Sequence, residues 1–278
     1  MIIIDLNQIF FANLFVFMNK NTELNEDLVR HMILNSIRHN NVKFREEWGR
    51  MVIASDSANN WRRAVFPYYK AARKKSREQS SMDWDSIFKF FNNVREEIKA
   101  YFPYPVIQVE GAEADDVIAA FANNMFAEPL LIISGDKDFI QLHSPNVKQF
   151  DPIKKRWIQH DNPKLYLKEH ILRGDVGDGV PNVLSDDDTF VTGKRLRPLS
   201  IKKINRWTNG IPKEEAHLNI LRNYARNEQL IDLSKTPEEL KEKIFIAYEE
   251  QTDKPRNKIM TYFIKYKLKN LMEAIGDF

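Results

Sequence analysis

Acidic residues cluster at two points in the middle of the sequence, and this clustering is the pattern that most suggests chemistry. Glu113, Asp115 and Asp116 lie close together, and Asp136 and Asp138 follow after a helix-like run and an apolar run. Burying several carboxylates side by side is unfavourable unless cations neutralise them. Oxygen donors without a histidine or cysteine set favour Mg²⁺ or Mn²⁺ over zinc. The pattern therefore predicts a divalent-metal site.

Further acids stand where a folded chain would bring them to the same place. Asp5 and Asp56 each end a short apolar run, as Asp136 does, and Asp175 and Asp178 lie in a glycine-rich segment. The carboxyl ends of parallel strands meet at one edge of a sheet, where ligands bind. Acids in the first turn of a helix also have an ordinary electrostatic explanation. The repeated pairing of a strand end with an acid nevertheless favours one shared site.

Strand and helix patterns alternate up to about residue 160 and predict the frame that positions these acids. Strands are predicted at 1–6, 50–56, 105–110 and 129–135, an edge hairpin at 146–158, and helices at 24–47, 83–102 and 112–126. After residue 160 the patterns are nearly all helical, at 165–172, 199–207, 222–233, 237–249 and 257–274. This order predicts an α/β fold with a mostly parallel central sheet flanked by helices (1–160) and a helical C-terminal part (161–278).

Two basic blocks flank the acidic centre. Residues 61–77 hold seven Lys and Arg residues without an acid, and residues 189–213 hold seven more without an acid. Trp61, Tyr68 and Tyr69 place rings among the first set of cations, and Pro67 interrupts any helix there. Solvated loops and helix faces would produce similar blocks. Cations mixed with aromatic rings beside a metal site favour a nucleic-acid substrate.

Several other classes of function lack support in the sequence. The chain has no cysteine, which excludes disulfides and thiolate metal sites and fits a reducing cytoplasm. It has no GxSxG, no GxxxxGK[ST] and no strand-linked GxGxxG, which argues against serine hydrolases, P-loop enzymes and dinucleotide-binding proteins. There is no apolar run of about 18 residues, and the acid at position 5 argues against a secretory signal. We therefore expect a cytoplasmic protein that does not cross a membrane.

Three ordered acidic motifs resemble those of the structure-specific 5′ nucleases. The motifs are GAEADD at 111–116, SGDKDF at 134–139 and GDVGDGVP at 174–181. This family includes flap endonucleases and the 5′-exonuclease domains of bacterial DNA polymerases. WRR at 61–63, YYK at 68–70, NVKQ at 146–149 and the tail look closest to the ribonuclease H branch of T-even phages. The resemblance runs nearly end to end and implies a PIN-like 5′ nuclease core with a helix-hairpin-helix-type duplex-binding element at 174–206.

The resemblance also implies roles for individual residues. The first metal site matches Asp5, Asp56, Glu113, Asp115 and Asp136, and the second matches Asp138, Asp175 and Asp178, with Asp136 or Asp115 shared and Asp116 contributing through water. The implied catalytic residues are Lys70 and Arg62, which would contact the phosphate, and Asp136. An arch at about 61–95 would cover the site, with Tyr69 stacking on a base. The implied nucleic-acid contacts are Arg63, Tyr69, Arg73, Lys74, Lys75, Arg77, Lys194, Arg195, Lys202 and Lys203.

The activity that the resemblance implies is 5′ to 3′ exonuclease and flap-endonuclease hydrolysis of phosphodiester bonds in DNA or RNA on a duplex. Two Mg²⁺ ions, which Mn²⁺ could replace, would activate water and stabilise the transition state. The expected substrates are a DNA duplex with a 5′ flap and an RNA–DNA hybrid, and the implied role is RNA primer removal during phage lagging-strand replication. The implied protein is a monomer in the infected cell's cytoplasm. A phage single-strand DNA-binding protein is a candidate partner, and sliding-clamp binding is left open.

Two other interpretations fit parts of the same pattern. A non-catalytic nucleic-acid scaffold with a structural metal would keep the acids and the basic blocks, although the retention of Lys70 speaks against it. A phosphatase for small substrates would leave the basic blocks without a role. One departure from the family pattern is LSDDDT at 184–189, where the family continues with glycines. Its three acids would repel DNA unless a cation binds there.

Overall fold

The central sheet has six strands in a computed structural model that describes residues 1–19, 23–124 and 128–278. The strands are β1 (Ile2–Asp5), β2 (Met51–Ala54), β3 (Val106–Ile107), β4 (Leu130–Ile133), β5 (Val147–Asp151) and β6 (Arg156–Ile158). Their order is β3-β2-β1-β4-β5-β6, and all neighbours are parallel except β5 and β6. The predicted parallel sheet with an edge hairpin is therefore confirmed. The order reverses between β1 and β4, and α/β sheets bind ligands at such a switch point.

Helices cover both faces of the sheet and fill the C-terminal half. They are α1 (Leu6–Met18), α2 (Glu26–Trp48), α3 (Arg62–Val65), α4 (Ala71–Glu78), α5 (Trp84–Tyr101), α6 (Ala114–Asn124), α7 (Pro163–Arg173), α8 (Ile201–Trp207), α9 (Leu218–Ile231), α10 (Glu238–Glu249), α11 (Ile259–Lys265) and α12 (Lys269–Met272). Short 3-10 helices span Lys137–Leu142, Leu233–Lys235, Arg256–Lys258 and Ile275–Asp277. The predicted helical C-terminal part is confirmed. In the described ranges, none of these helices combines the length and apolar character needed to cross a bilayer.

The sequence patterns missed the first helix. α1 begins directly after β1, and the Asp5 carboxylate caps it by accepting a hydrogen bond from the Gln8 amide at 3.0 Å. Aspartate is a favoured N-cap because its side chain satisfies a free amide of the first turn. α1 is apolar on most of its surface (LNQIFFANLFVFM), which hides the helical period. This helix brings polar side chains to the edge of the sheet where Asp5 lies.

Strand side chains alternate between two hydrophobic cores. Ile2 and Ile4 belong to the core that α1, α2 and α5 cover, whereas Ile3 belongs to the core that α6 and α10 cover. All three side chains are fully buried. Parallel strands that are buried on both faces read as continuous apolar runs rather than as alternating patterns. This explains why the strands stand out in the sequence as short β-branched runs.

The C-terminal segment packs back onto the sheet. Phe263 and Phe278 lie in the core on one face, and Ile244 lies in the core on the other. The Asn41 side chain ties down the chain end by donating to the Asp277 carbonyl oxygen at 2.7 Å. The division near residue 160 stays a prediction, but the hydrophobic cores are shared across it.

Several predicted segments differ in the structure. The helix predicted at 257–274 is broken between α11 and α12, where Lys267 has a φ of 53°. The arch at about 61–95 stays a prediction; within it residues 70–86 include no buried side chain, whereas Phe90 and Phe91 of α5 lie in the core. The helix predicted at 112–126 is observed as α6, and positions 125 and 126 lie outside the described residues. The structure differs from the helical hairpin predicted at 174–206, because the chain between α7 and α8 forms turns and irregular structure rather than a helix. α8 packs against α7, but a long connection joins the two helices.

Candidate metal centre

Seven aspartates from separate parts of the chain line one cavity of about 570 Å³. They are Asp5, Asp56, Asp115, Asp136, Asp138, Asp175 and Asp178, and Lys70 and Arg73 line the same cavity. Glu113 lines an adjoining cavity of about 440 Å³ that shares Asp56, Lys70 and Arg73 with the first. The structure thus brings together all the predicted metal ligands except Asp116, which is fully buried outside both linings.

The carboxyl edge of the sheet positions three of these acids. Asp5 ends β1, Asp56 follows β2, and Asp136 follows β4. The Asn7 side chain donates to Asp56 Oδ2 at 2.9 Å and accepts from the Asp56 amide at 3.1 Å. Asp136 accepts a hydrogen bond from the Asp138 amide at 2.9 Å and caps the 3-10 helix that follows. The strand ends therefore meet as the sequence predicts.

Two glutamines hold the loop that carries Asp136. Gln8 Oε1 accepts from the Gly135 amide at 2.6 Å, and the Gln149 side chain donates to the Asp136 carbonyl oxygen at 2.6 Å. Gln149 is fully buried, so this amide is fixed by the protein alone. Sequence analysis missed these supports. Gln8 lies three residues after Asp5, and this spacing is a signal that could have marked it.

The turn at 174–180 brings Asp175 and Asp178 to the site. Asp175 and Val180 exchange two backbone hydrogen bonds of 2.8 and 2.7 Å, and the Asp178 amide donates to Asp175 Oδ1 at 2.9 Å. Gly174 has a φ of +69°, and a Cβ there would lie 2.3 Å from the Val180 carbonyl oxygen, so only glycine fits. The Lys70 amide donates to the Asp178 carbonyl oxygen at 2.7 Å, which joins this turn to the first basic block.

Asp5, Asp115 and Asp138 have raised pKa values. Burial raises the pKa of Asp5 to about 7, and the charges of Asp56 and Asp136 act in the same direction. Burial also raises the pKa of Asp138 to about 7, again with a contribution from Asp136. Burial and the charge of Asp136 raise the pKa of Asp115 well above its ordinary value. Because divalent cations would supply the charge compensation that these oxygens lack, the donor set fits such ions.

Glu113 is held by the segment that follows α3. Lys70 Nζ donates to Glu113 Oε1 at 2.5 Å and lies 3.5 Å from Asp178 Oδ2. Burial opposes the charge on Lys70, but Asp178 and Glu113 outweigh it and raise the pKa of this ammonium. Tyr69 Oη lies 2.9 Å from Glu113 Oε2 and 2.6 Å from Asp178 Oδ2. Because Tyr69 is only 3% exposed, the prediction that its ring stacks on a base is wrong.

Arg62 and Asp116 form a buried ion pair outside the cavity lining. Two guanidinium nitrogens donate to Asp116 at 2.8 and 2.9 Å, one of them also reaches Glu113 Oε2 at 3.1 Å, and Nε donates to the Leu230 carbonyl oxygen at 2.9 Å. Arg62 is 1% exposed and Asp116 is 0% exposed. The predicted phosphate contact of Arg62 and the predicted metal role of Asp116 are therefore wrong, because these groups satisfy each other inside the protein. The pair instead anchors Glu113.

A histidine lies among the acids, which corrects the expectation that all nearby donors are oxygens. His170 Nδ1 lies 3.5 Å from Asp138 Oδ1, and Nε2 lies 3.3 Å from Asp175 Oδ2. One donor atom from each of these three residues lies within 4.8 Å of the others. His170 is on α7, outside the three acidic motifs, and sequence analysis missed it. Its place four residues before GDVGDGVP is a signal that could have marked it.

The exposed part of the first basic block borders the cavities. α4 carries Arg73, Lys74 and Lys75 on its exposed surface and Arg77 at a half-buried position. Arg63, Arg73 and Arg77 line the adjoining cavity. These cations stay predicted nucleic-acid contacts, and they stand where a phosphate chain that approaches the acids would pass.

Phenylalanine rings line the same two cavities. Phe11 and Phe15 of α1 line the acidic cavity, and Phe88 and Phe91 of α5 line the adjoining one. The rings of Phe11 and Phe15 stack with centroids 6.0 Å apart, and the Arg77 guanidinium lies 5.3 Å from the centre of the Phe88 ring. Phe15 is 42% exposed. Exposed rings beside cations are suited to stacking with bases, a role that sequence analysis gave to Tyr69.

The acidic turn at 186–188 is neutralised by the protein's own cations. Asp188 pairs with Lys194 at 2.9 Å, and Asp187 pairs with Arg222 at 3.0 Å and with Arg226. Because lysine and arginine side chains of the protein neutralise these acids, the repulsion of DNA that sequence analysis expected from the turn is reduced. Of the predicted contacts in the second basic block, Arg195 and Lys202 are exposed, whereas Lys194 and Lys203 are held in ion pairs with Asp188 and Glu215.

Two families match the chain in overlapping segments that together span it. Residues 1–170 match the family described as 5′-3′ exonuclease, N-terminal resolvase-like domain, and residues 162–278 match the family described as T4 RNase H, C terminal. Ribonuclease H of Enterobacteria phage T4 is 35% identical, over 99% of this chain and 95% of its own length. Flap endonuclease Xni of Shewanella piezotolerans is 29% identical, over 51% of this chain and 56% of its own length.

Solved 5′ nucleases share the fold. The bacteriophage T5 D15 flap endonuclease, in a pseudo-enzyme–product complex with DNA and metal ions, is 16% identical with a TM-score of 0.64 and covers 91% of this chain and 99% of that chain. The T5 5′-exonuclease with bound divalent zinc is also 16% identical, with a TM-score of 0.63 over the same shares. These likenesses confirm the predicted fold class.

Proposed function

The chain belongs to the 5′-3′ exonuclease family, and we propose that it is a divalent-metal-dependent 5′ nuclease with exonuclease and flap-endonuclease activity. It hydrolyses phosphodiester bonds at 5′ ends of DNA or RNA on a duplex. The observation that carries this proposal is the convergence of seven aspartates on one cavity that cations and aromatic rings border. A phosphodiester that enters this cavity would meet metal ligands, a fixed ammonium and stacking surfaces together.

The carboxylates would hold two Mg²⁺ ions, which Mn²⁺ could replace. The first group is Asp5, Asp56, Glu113, Asp115 and Asp136, and the second is Asp138, Asp175 and Asp178. The raised carboxyl pKa values support cation binding, since a cation stabilises the ionised form. When bound, such ions supply Lewis-acid charge at the scissile phosphodiester.

Lys70 would bind a phosphate oxygen of the substrate. Its ammonium is half-buried at the cavity wall, and the contacts with Glu113 and Asp178 fix its position. Its backbone has a left-handed φ of 55°, which is rare for a non-glycine residue and is held by the hydrogen bond to the Asp178 carbonyl oxygen. A cation fixed in this way stabilises negative charge that develops on the phosphate without having to reorganise.

A single-stranded 5′ end would reach the acids along α4. Arg73, Lys74, Lys75 and Arg77 would attract its phosphates, and Phe11, Phe15 and Phe88 would stack with its bases. The duplex would lie along the second basic block, where Arg195 and Lys202 are exposed. This division matches a substrate with one single-stranded and one double-stranded part.

The biological role that fits these substrates is removal of RNA primers during phage lagging-strand replication. The 35% identity to the phage T4 ribonuclease H over nearly the whole chain supports this role. The protein would act as a monomer in the cytoplasm of an infected cell, next to a phage single-strand DNA-binding protein that covers the displaced strand.

Cleavage mapping tests the proposed activity. The wild-type protein is incubated with 5′-labelled flap, nicked and RNA–DNA substrates in Mg²⁺ or EDTA. We expect short labelled products in Mg²⁺ and none in EDTA. Retained binding without cleavage in Mg²⁺ would favour the scaffold. Hydrolysis of small phosphate esters without cleavage of nucleic acid would favour a phosphatase.

A further inference from the structure

We infer that His170 is a nitrogen ligand of the cation held by Asp138 and Asp175, which makes this position select Mn²⁺ over Mg²⁺. The inference rests on the proposed function in one respect, namely that a divalent cation binds at the second group of acids. It adds the donor type and the resulting metal preference, and neither follows from the acidic motifs.

The distance between His170 and Asp138 fits two ligands of one cation. His170 Nδ1 lies 3.5 Å from Asp138 Oδ1, and His170 Nε2 lies 3.3 Å from Asp175 Oδ2. Two ligands that are each about 2.1 Å from one ion lie roughly 3 to 3.5 Å apart in octahedral or tetrahedral geometry. The imidazole and the Asp138 carboxylate therefore stand at the separation of two ligands without any backbone movement.

The Nδ1 atom of His170 has no hydrogen-bond partner among the described residues. The atom is also buried. A neutral imidazole has one N–H and one lone pair, and Nε2 is within donating distance of Asp175. Nδ1 of the neutral ring then presents its lone pair to the Asp138 carboxylate, an arrangement that is relieved either by a proton on Nδ1 or by a cation that binds both groups. Metal-bound histidines commonly donate their second nitrogen to a carboxylate, which is where Asp175 lies.

The surrounding helix holds the ring in place. α7 begins at Pro163, and the Asn162 side chain caps it by accepting from the Leu165 amide at 2.9 Å. The Tyr166 ring packs edge-on against His170 one turn earlier, with ring centroids 6.0 Å apart. The His170 side chain is 14% exposed. A ligand ordered before binding loses little conformational entropy when the ion arrives.

Metal preference follows from the donor type. Carboxylate, carbonyl and water oxygens suit both Mg²⁺ and Mn²⁺. Mn²⁺ is the softer ion of the two, and it binds an imidazole nitrogen more readily than Mg²⁺ does. Asp5, Asp56, Glu113, Asp115 and Asp136 offer only oxygens, while the second group offers oxygens and one nitrogen. The two positions would therefore differ, with Mn²⁺ favoured at the position next to α7.

Pulsed electron paramagnetic resonance of the full chain with bound Mn²⁺ tests this assignment. We expect nitrogen-14 modulation from a directly bound imidazole, which is lost in His170→Gln and kept in His39→Gln, whose histidine is exposed on α2. Loss of the ligand should weaken Mn²⁺ binding at this position about tenfold or more, by analogy with supporting residues of metal sites. Mg²⁺ affinity, measured by competition with Mn²⁺, should fall less.

The possible results separate this inference from the proposed function. Mn²⁺ binding without nitrogen-14 modulation would overturn the ligand assignment and leave the nuclease proposal standing. No Mn²⁺ binding at all would overturn the ligand assignment, while flap cleavage in Mg²⁺ would still decide the proposed function. Nitrogen-14 modulation without any cleavage of nucleic acid would overturn the nuclease proposal alone. If His170→Gln folds poorly, wild-type protein with nitrogen-15 histidine replaces it, and a modulation unchanged by that label would overturn the assignment.

Discussion

Two neighbouring arginines differ in burial, and they should therefore differ in their contribution to stability. Arg62 is 1% exposed and pairs with Asp116, whereas Arg63 is exposed and lines the cavity next to the acids. Arg62→Ala leaves the Asp116 carboxylate buried without its partner, which should cost about 3 to 5 kcal/mol of stability. Arg63→Ala should change stability by less than about 0.5 kcal/mol. Urea unfolding followed by circular dichroism measures both, and equal stabilities would contradict the buried pair.

The raised carboxyl pKa values give the metal-free protein a defined pH dependence. Burial and neighbouring charges raise the pKa of Asp5 and Asp138 from 3.8 to about 7, so the folded state holds more protons than the unfolded state between these values. The contribution of these two groups to the free energy of unfolding is fully present below about pH 4, and it is lost as the pH rises through about 7. In EDTA, Tm from scanning calorimetry should therefore fall between pH 5.5 and 8. Added Mg²⁺ should restore much of the loss at pH 8, because it binds the folded state.

The matched variant for this experiment is Asp138→Asn, which should show a smaller fall in Tm with pH and a smaller response to Mg²⁺. Asp253→Asn, at an exposed acid outside the cavities, should behave as the wild type. A Tm in EDTA that rises from pH 5.5 to 8 would contradict the assigned pKa values.

At the residue scale, the sequence predicted the acids better than the cations and rings. Asp5, Asp56 and Asp136 could be placed because a strand end fixes where its next side chain lies. Arg62 could not, because its residue type and its position in a basic block do not show that a carboxylate faces it inside the fold. His170 was missed because it lies on α7, outside the three acidic motifs, and only its position four residues before GDVGDGVP pointed to the site.

Among the elements, α1 contributes surface that the sequence did not assign to the site. Phe15 lines the acidic cavity, while its neighbour Val16 lines a different cavity beside α2. Phe15→Ala should weaken binding of a single-stranded flap by about 1 to 3 kcal/mol, the range for one base stacked on a ring. Fluorescence anisotropy with flap and blunt duplex substrates measures this. Val16→Ala should leave flap binding unchanged, and an equal loss with the two variants would argue against stacking.

Element boundaries were predictable where the hydrophobic period was clear. α5 was found because Ile87, Phe90, Val94 and Ile98 recur at helical spacing on a single buried face. α1 was missed because apolar residues occur on nearly all of its faces, so no period stands out. The break between α11 and α12 depends on one residue, Lys267, in a left-handed conformation that its residue type does not favour.

At the scale of the whole molecule, the C-terminal helices complete the core of the sheet. Phe263 of α11 is fully buried there, while Met260 of the same helix is 41% exposed. Phe263→Ala should lower the free energy of unfolding by about 3 to 5 kcal/mol, whereas Met260→Ala should have little effect. Chemical denaturation should show one transition for near- and far-ultraviolet circular dichroism. Two separated transitions would instead support independent units that meet near residue 160.

The fold class and the helical content of the C-terminal part were predictable from patterning, because a sheet covered on both faces and a run of amphipathic helices have distinct periods. The way in which the last helices return to the sheet was not predictable. Contacts such as that of Asn41 with the Asp277 carbonyl oxygen join residues that are far apart in sequence, and no local pattern records them.

The central claim is that the aspartates of one cavity hold the cations that drive phosphodiester cleavage. The most direct measurement compares wild-type protein, Asp136→Asn and the exposed control Asp253→Asn for flap cleavage in Mg²⁺ and for flap binding in EDTA. Because a metal at the phosphate contributes several kcal/mol, Asp136→Asn should cleave roughly a hundredfold more slowly or worse. Its binding should persist, since the basic surface is unchanged, and the control should match the wild type. Cleavage by Asp136→Asn at near the wild-type rate would contradict the claim.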